Sequence, residues 1–207
     1  LLILVLVIIS CKSEENIVFE FDPRVISENK IYLSEIADDI VYVALENSIP
    51  IGIYYHIELV NNLIYVSIKD VGIVIFNRDG TILNKVGNIG RGPGEYRFFM
   101  NFAVDEKNAN VYVLDYDIIK IYSGNGNFLR DISLKETGGH FQEVNYFDSK
   151  LFIPEYIGIG KAKFNWIIID TLGRMVSQKK NFIPEFSSTF LFKGGTYKYE
   201  NRIQYWD

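Results

Sequence analysis

The 207-residue chain has one cysteine, two histidines and no excess of basic residues, and each shortage removes a class of function. A lone Cys11 cannot form a disulfide or a cysteine-based zinc cluster within the chain, and His56 and His140 are too few for a multi-histidine metal site. No metal and no other cofactor is expected. With 21 Lys and Arg against 26 Asp and Glu, the net charge is −5, so the basic footprint that a phosphate backbone requires is missing and nucleic acid is not an expected partner. The longest uninterrupted apolar run, residues 1–9, falls short of the roughly 20 residues that span a bilayer. What remains, 48% hydrophobic and 23% charged, is globular composition and excludes a disordered, collagenous or coiled-coil chain.

A run of this length suits the apolar core of a signal peptide. Neither Met nor a basic segment precedes it, so residues 1–10 are expected to be part of a signal whose start lies upstream. The run ends in Ile8-Ile9-Ser10-Cys11, which resembles the bacterial lipobox, with Ile8 where that pattern prefers Leu. The resemblance implies lipid attachment at Cys11 and a membrane partnership through two or three acyl chains, enough for a firm hold where one chain is marginal. Lys12 is not the Asp that retains such proteins in the inner membrane. Lys12-Ser13-Glu14-Glu15, within the tether 11–16, is similar to the acidic export tether of Bacteroidetes lipoproteins. The expected location is therefore the outer membrane, on its periplasmic or surface-exposed side.

The remaining residues, 17–207, repeat. Ile64-Tyr65-Val66 recurs as Val111-Tyr112-Val113 and as Leu151-Phe152-Ile153. Phe76-Asn77-Arg78-Asp79-Gly80 recurs as Tyr122-Ser123-Gly124-Asn125-Gly126 and as Ile169-Asp170-Thr171-Leu172-Gly173, each an apolar strand running into a glycine turn. Both landmarks keep a period of about 40 to 47 residues with four short β-branched or aromatic segments per period, the pattern of a β-propeller built from four-stranded antiparallel blades. The spacing predicts blades at about 55–86, 102–134 and 141–180 and the start of a fourth at 190–207. Continuous apolar runs at 73–76 and 166–169 predict strands buried on both faces. Residues 39–46 alternate as an early strand without a partner in its own blade, and are expected to close the last blade of a ring whose remainder lies beyond residue 207. The main non-strand element is a turn at 34–39.

Gly87-Asn88-Ile89-Gly90-Arg91-Gly92-Pro93-Gly94-Glu95-Tyr96, followed by Phe102-Ala103-Val104-Asp105, resembles the signature of six-bladed β-propeller lipoproteins of Bacteroidetes, relatives of NHL-repeat and TolB-like propellers. The resemblance covers nearly the whole mature chain and implies a secreted propeller, but no particular reaction. Physically, the glycine-rich segment admits two readings. It is either a tight crossover whose Arg91 and Glu95 hold neighbouring blades, or an anion-binding nest in which Arg91, Glu95 and Tyr96 touch a ligand. No Lys-Ser or Lys-Thr follows, and Pro93 removes an amide donor, so a nucleotide P-loop is excluded.

Nucleophilic chemistry has no visible carrier, since Gly-x-Ser-x-Gly is absent and no catalytic residue can be named. Asp105, Asp115, Asp117, Asp131 and Glu155 fall at strand ends, where turn solvation explains most acids. Tyr96, Tyr116, Tyr146, Tyr156 and Trp166 are candidates to stack on sugars or peptides. The leading expectation is an anchored, non-enzymatic module that binds a carbohydrate, a peptide or an outer-membrane protein. The alternatives are a secreted hydrolase or lyase acting at the central channel and a structural subunit of an outer-membrane assembly.

Overall fold

The computed structural model describes residues 30, 32–35, 37–99, 101–155, 162–182, 195–199 and 202–206. The signal segment, Cys11, the tether, Tyr156 and residues 190–194 lie outside them. The chain divides into two units, Leu1–Val41 and Tyr42–Asp207. In the first, the expected turn is a single 3-10 turn, Leu33–Glu35.

The second unit is all-β, with three four-stranded antiparallel sheets and a hairpin. Sheet 1 orders β1 (Tyr54–Val60), β2 (Leu63–Ile68), β3 (Gly72–Asn77) and β4 (Ile82–Val86) side by side. Sheet 2 does the same with β5 (Phe102–Val104), β6 (Val111–Asp115), β7 (Ile118–Tyr122) and β8 (Phe128–Ser133). Sheet 3 follows with β9 (Asn145–Phe147), β10 (Lys150–Pro154), β11 (Phe164–Asp170) and β12 (Met175–Lys180). β13 (Gly195–Tyr199) and β14 (Arg202–Trp206) form the hairpin.

The recurring glycine landmark has one structural cause. Gly80, Gly126 and Gly173 have φ of 89°, 76° and 89°, a left-handed conformation that costs a residue with a Cβ but not glycine. In each, the glycine N–H donates to the carbonyl three residues back: Asn77, Ser123 and Asp170, at 3.0, 2.8 and 3.0 Å. A register shift follows in the same place of every sheet, between Ile75 and Phe76, Ile121 and Tyr122, and Ile168 and Ile169. Each hairpin is therefore closed at its tip by a left-handed glycine, and a bulge three residues later, at Leu83, Leu129 and Val176, shifts the register of the outer strand pair.

Those hairpin tips also seat each sheet on its predecessor. Gly87 N–H donates to Gly126 O at 2.9 Å, and a Cβ on Gly126 would overlap the Lys85 carbonyl oxygen of β4. Gly173 lies against Ile132 of β8, and Arg130 donates to Thr171 O. On sheet 1 the same seat is taken by residues 44–46: Glu46 N–H donates to Gly80 O at 2.8 Å, and a Cβ on Gly80 would overlap the Ala44 carbonyl oxygen. The stretch 39–46 thus pairs with no strand among the described residues, yet its end stands to sheet 1 as the end of β4 stands to sheet 2. Val43 and Leu45 from it cover Ile64, Val66, Val74 and Phe76.

Two larger apolar clusters fill the spaces between sheets. Tyr65, Ile73, Ile75, Val86, Phe102, Val104, Val113 and Tyr122 join sheets 1 and 2. Tyr112, Leu114, Ile119, Ile121, Tyr146, Leu151, Ile153, Ile167 and Ile169 join sheets 2 and 3. β3 is buried on both faces from Ile73 to Phe76, as its continuous apolar run requires. β11 alternates instead: Ile167 and Ile169 enter the core, while Trp166 and Ile168 on the opposite face are half-buried, because only one face of sheet 3 packs on sheet 2. The first strands of successive sheets are neighbours, β1 beside β5 and β5 beside β9. The ladder edge of buried β5 is satisfied by a side chain of β1: Glu58 accepts a hydrogen bond from Val104 N–H at 2.9 Å.

Candidate functional site

The glycine-rich loop, residues 87–96, leaves β4 and fastens sheet 1 to sheet 2. Tyr96 is 1% exposed, and its hydroxyl accepts from Ile73 N–H at 3.1 Å and donates to Val86 O at 2.7 Å. Burial pushes the Tyr96 phenol up to about 12. Its ring meets Tyr122 edge to face at 5.9 Å, and the Tyr122 hydroxyl donates to Gly94 O at 2.9 Å. Within the loop, Gly92 N–H donates to a Glu95 carboxylate oxygen at 2.7 Å, and that carboxylate lies so close to Gly90 that a Cβ there would collide with it. The Gly92 amide is therefore already taken by the Glu95 carboxylate, and the Gly90 amide donates to Tyr96 O at 3.0 Å. Arg91 is exposed. Tyr96 is engaged by sheet 1 through its phenol, whereas the Glu95 carboxylate bonds within its own loop and not across the neighbouring blades that the crossover reading assigned to Arg91 and Glu95.

In a four-stranded antiparallel sheet, the turn between the second and third strands and the connection to the next sheet emerge at the same end. At that end of sheets 2 and 3 lies a groove of about 620 Å³. One wall is Arg97 and Phe98, directly after the glycine-rich loop; the floor is Tyr116 and Asp117 from the β6–β7 turn; the other wall is the 135–142 connection. Tyr116 takes a left-handed φ of 57° and remains 54% exposed. The Arg97 guanidinium lies 5.2 Å over its ring, and the Phe98 ring is 5.0 Å away. Cation–π attraction of this kind orients the guanidinium while leaving its N–H edge for a ligand.

Two buried carboxylates brace the walls. Asp115, at the end of β6, accepts from Phe98 N–H at 3.1 Å and so fixes the first wall. Glu155, 3% exposed, accepts from His140 N–H at 3.2 Å and from Phe164 N–H at 2.6 Å, and so fixes the second. Thr137 adds a short-range clasp, donating to Leu134 O at 2.7 Å and accepting from Gly139 N–H at 3.2 Å. Of the sequence-flagged acids, Asp105 caps its own turn. Burial opposes its ionisation, but bonds from Asn108, the Lys107 amide and Tyr146 outweigh that and hold its carboxyl below the usual range. Asp131 pairs with Lys120 at 3.4 Å. These acids serve the fold, and Asp117 alone of the five lines the groove.

The two histidines separate. His56 packs its ring against Phe102 at 4.9 Å with Nε2 3.7 Å from Glu58, between the first strands of sheets 1 and 2. His140 is exposed at the groove. Tyr146 stacks on Tyr112 at 5.7 Å within the core, and Trp166 lies beside Phe152. Tyr116 is thus the flagged aromatic that reaches the groove. Arg97, Phe98, Lys135 and Gln142 were not singled out by sequence. The one available signal was the position of Arg97-Phe98 immediately after the signature loop. Among the described residues no three His, Cys, Asp or Glu side chains are placed to hold a metal ion, and no helix is long and apolar enough to cross a membrane.

Residues 16–206 match a family model described as a domain of unknown function, DUF4934. A solved protein of Bacteroides fragilis, described as inferred to be exported, is 23% identical with a TM-score of 0.60 over 78% of this chain and 47% of its own. A solved member of the DUF4221 family from Bacteroides vulgatus is 15% identical with a TM-score of 0.51 over 74% of this chain and 51% of its own. This chain therefore spans about half the length of the solved proteins it matches, and the likeness is one of fold. No curated protein matches it.

Proposed function

The chain belongs to the DUF4934 family, and we propose that it belongs to an envelope-anchored six-bladed β-propeller that acts as a binding module rather than an enzyme. The repeated seating of each hairpin tip on the preceding sheet supports the propeller. So does the place of residues 44–46, which fill the seat of an outermost strand ahead of sheet 1 and would complete a last blade. The count of six rests on the signature loop and on two matched proteins about twice as long as this chain. The exported description of one of them and the lipobox-like segment ending at Cys11 support an acylated outer-membrane protein. Labelled palmitate should enter the wild-type protein and not a Cys11→Ala variant; equal labelling of both would defeat the anchor.

The groove at the loop end of sheets 2 and 3 carries the binding assignment. It is concave, within the usual size range of ligand sites, and lined by aromatic rings and a few oriented polar groups on braced walls. Loops held by a rigid scaffold are the usual place for recognition. On an array of glycans and peptides, the full-length protein should give a signal that the double variant Arg97→Ala, Tyr116→Ala loses by about tenfold or more, with its melting temperature nearly unchanged. A signal indifferent to that pair, or none on any class, would place recognition elsewhere.

A further inference from the structure

The groove concentrates positive charge on a chain whose net charge is −5. Arg97 and Lys135 line it, and the Lys163 ammonium lies against Gly138 on its wall, while Asp117 is the one carboxylate among the lining residues. The described Lys and Arg ion pairs are Lys120–Asp131, Lys150–Asp148 and Arg174–Asp170, so Arg97, Lys135 and Lys163 have no acidic partner among them. Among the described residues, cations without an acidic partner therefore stand beside an exposed ring, a pairing that suits an anionic ligand with an apolar face.

The backbone of the same wall is already committed. Gly138 N–H donates to Lys135 O at 3.1 Å, Gly139 N–H to Thr137 Oγ1, and His140 N–H to Glu155. An extended peptide depends on free main-chain groups of its host to form a ladder, and this wall offers no amide donor over those three positions. Recognition must come from side chains: guanidinium and ammonium for carboxylate, Asp117, His140 and Gln142 for hydroxyls, and the Tyr116 ring for an apolar sugar face.

We propose that the groove binds a carboxylate-bearing oligosaccharide, a uronate chain whose carboxylates meet Arg97 and Lys135 while one ring lies on Tyr116. This rests on the groove being the binding site and goes further by naming the ligand class. Because Arg97 is held over Tyr116, its planar fork can donate two parallel N–H···O bonds to a carboxylate at little ordering cost.

The probes are trigalacturonate, its methyl ester and a glutamate-rich peptide of equal charge, titrated calorimetrically into the full-length protein. Trigalacturonate should bind, the uncharged ester should bind about tenfold more weakly or worse, and Arg97→Ala and Lys135→Ala should each lower uronate affinity by about tenfold. Both side chains are exposed, so neither variant should lower the melting temperature by more than a degree or two. Equal binding of the ester, tighter binding of the peptide, or no binding of trigalacturonate would each overturn the uronate assignment. If any of these came with an array signal still lost in the Arg97, Tyr116 double variant, the groove would stand and only its ligand class would fall.

Discussion

Tyr96→Phe should destabilise the protein by about 3 kcal/mol, although it removes a single oxygen atom. That oxygen is the acceptor for Ile73 N–H at 3.1 Å and the donor to Val86 O at 2.7 Å, in a site where the tyrosine is 1% exposed. Phenylalanine keeps the packing against Phe99 and Tyr122 but leaves a buried donor and a buried acceptor short of a partner, each at about 1 to 3 kcal/mol. Urea unfolding at pH 7 measures the loss, and a change under about 0.5 kcal/mol would show that water replaces the hydroxyl.

The same substitution should alter the response to alkali. Burial holds the Tyr96 and Tyr112 phenols at about 12 and raises Tyr122 as well, whereas an unfolded tyrosine ionises near its ordinary value of 10.0. A group whose folded pKa is raised stabilises the fold fully below its unfolded pKa. That contribution declines as the pH climbs from about 10 through 12, because only the unfolded chain releases its proton there. Tyr96→Phe removes one of these protons, so the variant, weaker at pH 7, should lose stability less steeply than wild type between pH 10 and 11.

Much of this architecture was legible in sequence because its determinants are local. A glycine forced to positive φ at the same step of each repeat marks Gly80, Gly126 and Gly173, and the strands around them alternate or run apolar as their burial demands. The three sheets run from Tyr54 to Val86, from Phe102 to Ser133 and from Asn145 to Lys180. Long-range determinants were not legible. That Glu95 bonds back to the Gly92 amide of its own loop is a fold-back contact, and the motif alone favoured a tight crossover while leaving a ligand-contacting nest open. The half-exposure of Trp166 and Ile168 depends on which face of sheet 3 meets sheet 2. The groove was hidden for the same reason. Its walls come from residues 97–98, 116–117 and 135–142, brought together by strand direction rather than by any pattern along the chain.

Glu155→Ala should cost about 3 kcal/mol and also disable the groove. The wild-type carboxylate is shared between two main-chain donors on different segments, His140 N–H and Phe164 N–H, and the Glu155 backbone bridges to Phe141. Alanine leaves both N–H groups without an acceptor and releases the connection whose 138–142 portion forms one groove wall. Glu155→Gln keeps one carbonyl oxygen but turns an NH₂ group toward the other donor, so it should recover less than half of the lost stability. Thermal melts rank the three proteins, and titration with trigalacturonate well below the lowest melting temperature separates two roles. A carboxylate that only stabilises the fold would leave affinity unchanged in the folded variants. One that positions the wall should weaken it severalfold in Glu155→Ala and partially in Glu155→Gln, even though Glu155 itself is too deeply buried to touch the ligand.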